Sequence, residues 1–126
     1  MESISIAETH KTPAILSDFE KGIIEIKGKS NPENSIEFFR PLVNWAVEYA
    51  KNPQEKTTVN INLEHFNTST SKCILDVFKK LEPILLINKE VTVNWHYDHD
   101  DEDLLEAGET FQAFTELPFN LIPVKH

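Results

Sequence analysis

Two clusters of this chain carry residues able to do chemistry. In the first, Asn67-Thr68-Ser69-Thr70-Ser71-Lys72 sets four hydroxyls in a row behind an amide and ahead of a cation. Such a run is poor helix interior, because Ser and Thr side chains compete for nearby backbone groups, but it is good N-terminal capping material. One use is therefore structural, with a side-chain oxygen accepting a bond from a free backbone N–H. The other is covalent. A helix N-terminus presents unpaired N–H groups and the positive end of the macrodipole. A phosphate of about −1.5 to −2 charges is tolerated there and changes what a partner meets at the surface. The two uses are compatible.

The second cluster is Asp98-His99-Asp100-Asp101-Glu102-Asp103, preceded by His96. Imidazole beside carboxylate invites a metal, and a small metal-binding protein or metal-dependent enzyme using His96, Asp98, His99 and Asp100 is one reading. The spacing matches no calcium loop, no zincin helix and no Cys-x-x-Cys pair. Acidic residues are also what the dipole favours at a helix start. The simpler reading is a solvated helix start, with no metal or other cofactor, in which Asp100, Asp101 and Asp103 offer a face to a partner. Other catalytic patterns are missing: the three glycines are isolated, there is no Gly-x-Ser-x-Gly elbow, and the five histidines are scattered. The expectation is a protein that is not an enzyme. Cys73 reads as a small apolar helix residue.

The elements that must position these clusters follow from periodicity. Residues 16–22 read as a short strand entering a turn near Lys21-Gly22, and 23–28 as its half-buried partner. A capping-rich loop from Ser30 leads to a helix over about 35–51, with Phe38, Leu42, Trp45, Ala46 and Tyr49 on one face. Pro41 predicts a kink or a restart inside it. Residues 57–63 alternate cleanly, Val59, Ile61 and Leu63 against Thr58, Asn60 and Asn62. The hydroxyl run then opens a helix whose core face is Ile74, Leu75, Phe78 and Leu81. A strand over 90–97 follows. Next come a helix from about Glu102, striped by Leu104, Leu105, Ala107 or Gly108, Phe111 and Phe114, and a short strand over 117–122. This alternation predicts an α/β fold: a mixed sheet of four to five strands packed by about three helices, with right-handed crossovers.

Composition fits this reading. The chain has 126 residues, 40% hydrophobic and 26% charged, which suits one domain over 1–126. The net charge of −9 is local: residues 98–116 hold eight carboxylates and no Lys or Arg, while the remainder is nearly neutral. That disfavours nucleic acid, whose phosphates demand cationic surface. A single cysteine, no leader pattern and no long apolar run predict a cytoplasmic protein free of membrane.

Several pieces resemble one family in order and spacing. They are Thr12-Pro13, Gly28-x-Ser30-x-Pro32-Glu33-Asn34, Phe39-x-Pro41-Leu42-x-x-Trp45-x-x-x-Tyr49, Phe66-Asn67-Thr68-Ser69-Thr70-Ser71-Lys72, Val91-x-Val93-x-Trp95-x-Tyr97 and Asp100-Asp101-Glu102-Asp103-x-x-x-x-Gly108-Glu109. Over a core of about 9–122 the chain is similar to the SiaC family of bacterial regulatory phosphoproteins. The resemblance implies a STAS-like fold, related to anti-anti-sigma factors. It also implies Thr68 as phosphoacceptor, a serine/threonine protein kinase that adds the phosphate and a metal-dependent serine/threonine phosphatase that removes it. The unphosphorylated form would bind a diguanylate cyclase and promote cyclic-di-GMP synthesis and biofilm formation, and phosphorylation would release it. Thr70 stands where serine is expected, so Thr70 and Ser69 remain alternate acceptors. Asn67, Ser69, Thr70, Ser71 and Lys72 would shape the loop that the partners contact. The alternative is an anti-anti-sigma-like regulator acting on an anti-sigma kinase.

Overall fold

The computed structural model describes residues 1–125. Six strands form one sheet in the order of the chain, β1 (Ile4–Ile6), β2 (Ala14–Asp18), β3 (Ile23–Ser30), β4 (Lys56–Phe66), β5 (Glu90–Asp98) and β6 (Phe119–Val124). The first three are antiparallel, and β3 through β6 are parallel. The parallel strands are joined by α1 (Ser35–Tyr49), α2 (Thr68–Leu81) with a following 3₁₀ turn (Glu82–Ile87), and α3 (Glu102–Phe114).

The sheet therefore has six strands, not four to five. The additional one, β1, is three residues long and pairs its Ile4 and Ile6 with Ser17 and Ile15. A strand this short at a sheet edge leaves no alternation to read. The last strand lies two residues later than expected, and α1 ends at Tyr49. Helix α1 also runs through Pro41 without interruption. Pro41 and Glu37 are exposed, so the carbonyl that loses its N–H partner is left to water.

The strand order decides where the helices lie. Each parallel strand is added on the same side of the previous one, so three right-handed crossovers place α1, α2 and α3 on one face. Into that face point Ile24, Ile26, Val59, Ile61, Val93 and Trp95, each 1% exposed or less. Phe39, Leu42, Tyr49, Ile74, Phe78 and Leu81 meet them from α1 and α2. Phe39 is fully buried and Phe38 half-buried, while Phe114 is 62% exposed and not part of the α3 stripe. Among the described residues the opposite face has no helix over it, and its central strands are polar. Glu25, Asn60, Asn94 and Asn120 occupy one register row across four strands. Their side chains link at 3.3, 2.9 and 3.0 Å. This row lets a largely parallel sheet, usually covered on both sides, stand against water.

Helix α3 is seated through Trp95. Its indole donates to the Leu104 carbonyl at 2.9 Å, and its ring meets Phe111 at 5.3 Å. Gly108 makes this approach possible. A Cβ there would lie 2.5 Å from Trp95 Cδ1 and 2.9 Å from Leu121 Cδ2. In an open helix Gly→Ala gains about 1 kcal/mol. Here overpacking reverses the sign, and Gly108→Ala is expected to lose about 1–3 kcal/mol. Thermal denaturation checks this, since a melting temperature above wild type would mean that α3 lifts off Trp95 freely.

The same topology gathers the chemistry. All three helices start where β3, β4 and β5 end, so their N-termini and the loops before them share one edge of the sheet, where α/β folds place their sites.

Candidate functional site

Asn67 organises the hydroxyl segment. It is the N-cap of α2, in extended backbone, and its side-chain oxygen accepts from the Thr70 N–H at 2.8 Å and from the Ser69 hydroxyl at 3.2 Å. Its amide donates to Asn31 Oδ1 at 3.0 Å, and its backbone N–H donates to the Ser30 carbonyl at 3.1 Å. The loop after β3 is thus pinned to the start of α2.

The four hydroxyls, alike in sequence, differ in the structure. Thr70 is fully buried, and its hydroxyl pairs with Ser30 Oγ at 2.9 Å. Breaking a buried pair of this kind on one side costs about 1–3 kcal/mol, and no kinase or partner reaches Thr70 without opening α2. Ser69 is exposed as a residue, yet its hydroxyl is 2.7 Å from that of Ser35, the buried first residue of α1. Ser71 is half-buried. Thr68, the first helical residue, is exposed, and its hydroxyl makes no hydrogen bond among the described residues. Lys72 lies one turn further along α2, exposed and outside every ion pair among the described residues.

Beside this segment a groove of about 760 Å³ opens between α1 and α2. Ile36, Val43 and Leu75 give it an apolar lining, Ser69 stands in its wall, and Arg40, Lys72 and Lys79 give it cationic edges. Arg40 is paired with Glu37 at 3.0 Å and Lys79 with Glu82 at 3.4 Å. Cys73 is buried beneath the groove. Burial and the nearby Asp76 carboxylate raise its thiol pKa, which favours the protonated thiol over the thiolate.

The acidic segment lies on the same edge and divides by role. Asp101 caps α3, accepting from the Leu104 N–H at 3.0 Å, and Asp98 accepts from the Asp100 N–H at 3.0 Å. Asp100 and Asp103 are exposed. The ligand atoms of Asp98, His99 and Asp100 lie within 4.8 Å of one another. His99 sits 3.6 Å from the Asp98 carboxylate and 3.1 Å from that of Asp100. His96, read with them in the sequence, is held at 3.3 Å from the Ile61 carbonyl and is not in this group.

Sequence reading missed Ser30, Asn31 and Ser35 as walls of the site. The signal was present: consecutive parallel strands end side by side, so the loop after β3 must abut the start of α2.

The model of the SiaC family regulatory phosphoproteins matches residues 6–124. The chain belongs to the SiaC family. An uncharacterised protein of Pseudomonas aeruginosa (strain UCBPP-PA14) is 32% identical to it over 119 residues, 94% of each chain. Apo-SiaC from P. aeruginosa superposes with a TM-score of 0.88 at 30% identity, covering 97% of this chain and 99% of that one. SiaC also matches as found in complex with the P. aeruginosa diguanylate cyclase SiaD, of which it is the activator. There the TM-score is 0.88 at 31% identity, over 98% and 99% of the two chains. The fold of this chain is thus that of the two SiaC structures. Among the described residues no helix is long and apolar enough to cross a membrane.

Proposed function

We propose that this chain is a phosphorylation-controlled activator of a diguanylate cyclase, acting in the cytoplasm without catalysis of its own, and that Thr68 is its phosphoacceptor. One observation carries the choice of residue: in the hydroxyl run, Thr68 is exposed and its hydroxyl makes no hydrogen bond among the described residues, while Thr70 is buried and Ser69 is tied to Ser35. The free N–H groups of the first turn of α2 and the macrodipole make a phosphate stable there. The groove beside it offers the cyclase apolar surface flanked by cations, and Ser69, Ser71 and Lys72 flank the acceptor. A dianion on Thr68 competes with the partner for Lys72, one turn away, and reverses the field at the mouth of the groove. A serine/threonine kinase writes this charge and a metal-dependent phosphatase erases it. Asp100 and Asp103 form a second contact face on the same edge.

The test is capture of partners from the native host by the unphosphorylated and the phosphorylated protein. The expected result is a diguanylate cyclase on the unphosphorylated form, reduced at least tenfold on the other. Recovery of an anti-sigma factor in its place, or equal capture by both forms, would overturn the reading.

A further inference from the structure

We propose that Ser35 selects the phosphoacceptor: its hydroxyl occupies that of Ser69, which is thereby a latent second acceptor kept silent beside Thr68. This rests on the reading of Thr68 as the acceptor and adds what enforces it.

In phosphoryl transfer from a kinase-bound nucleoside triphosphate, the serine or threonine oxygen forms the new P–O bond. The bond to the leaving diphosphate breaks, and the hydroxyl proton passes to a base of the kinase. The oxygen must therefore present a free lone pair and an accessible proton. On Ser69 the proton is committed and one of the two lone pairs is taken. Its hydrogen goes to Asn67 Oδ1 at 3.2 Å. With that hydrogen committed, Ser35 is the donor in the 2.7 Å contact and takes up a lone pair of Ser69. Ser35 is only 4% exposed, on the first turn of α1, so its contact ties the Ser69 hydroxyl to the body of the protein. Thr68, its neighbour, has neither bond. Thr68 and Ser69 share the same local sequence. What separates them is a contact across 34 positions of the chain.

Ser35→Ala removes the donor without removing the cap, because Asn34 caps α1 through the Glu37 N–H at 3.1 Å. Purified wild type, Ser35→Ala, Ser35→Thr, Thr68→Ala and the Ser35→Ala/Thr68→Ala double variant are incubated with native-host lysate and ATP, and phosphopeptides are mapped and quantified. One hydrogen bond lost at Ser69 is worth about a fivefold change in its modification rate. The share of phosphate on Ser69 should rise about fivefold in Ser35→Ala, and the double variant should be labelled about five times faster than Thr68→Ala. Ser35→Thr, which keeps the hydroxyl, should behave as wild type. Melting temperatures close to wild type show that the site has moved without loss of fold. Phosphate on Thr68 in wild type with an unchanged Ser69 share in Ser35→Ala would overturn the role of Ser35 and leave the acceptor standing. Phosphate on Ser69 or Thr70 in wild type, or none in any variant, would overturn both.

Discussion

Thr68→Ala is expected to remove nearly all phosphate incorporation while leaving the protein as stable as wild type and able to hold its partner. The near-complete loss follows from the geometry of the run. With Thr68 gone, Thr70 is buried, Ser69 is bonded to Ser35 and Ser71 is half-buried within α2, so no neighbour replaces it efficiently. The unchanged stability follows because the Thr68 side chain makes no hydrogen bond among the described residues and the cap belongs to Asn67. Exposed substitutions of this kind stay within about 0.5 kcal/mol. Incubation with host lysate and ATP, read by intact mass, measures the first, and thermal denaturation the second. Undiminished incorporation in a well-folded Thr68→Ala protein would move the acceptor elsewhere.

The largest effect on stability is expected from Trp95→Ala. Trp95 is 1% exposed and joins the sheet to α3. It donates to the Leu104 carbonyl, packs on Phe66 at 6.0 Å and Phe111 at 5.3 Å, and lies against Gly108. Emptying so large a site costs about 3–5 kcal/mol, a large part of the roughly 5–15 kcal/mol that holds a domain together. The melting temperature should fall on the order of 10–20 °C. The acidic segment, which α3 carries from the Asp101 cap onward, should show faster amide exchange well below that temperature. A fall of only a degree or two would mean that α3 is held by other contacts.

Much of this fold was legible because its signals are local. Val59, Ile61 and Leu63 alternate with Thr58, Asn60 and Asn62, and the alternation maps onto the buried and open faces of the sheet. The hydroxyl run was legible as a helix start because capping chemistry lies within three residues of the cap, as the Asn67–Thr70 bond shows. What escaped depends on partners far along the chain. Strand β1 exists because β2, about ten residues later, offers it an edge. Phe114 satisfies the helical spacing of α3, but it falls in the last position, where no neighbouring element among the described residues covers it. The division among Thr68, Ser69 and Thr70 was not readable locally, because Ser35 and Ser30 decide it from 34 and 40 positions away. Only the parallel topology brings those residues to the same edge.

The central claim is that a single phosphate on Thr68 governs this protein. The most direct test is intact-mass and phosphopeptide analysis of the chain purified from its native host, with and without phosphatase treatment. The account predicts one phosphate, located on Thr68, in part of the population, and its removal by the phosphatase. A phosphate on buried Thr70, or none under several growth conditions together with no transfer from host lysate and ATP, would contradict it and leave the hydroxyl run as a helix cap alone.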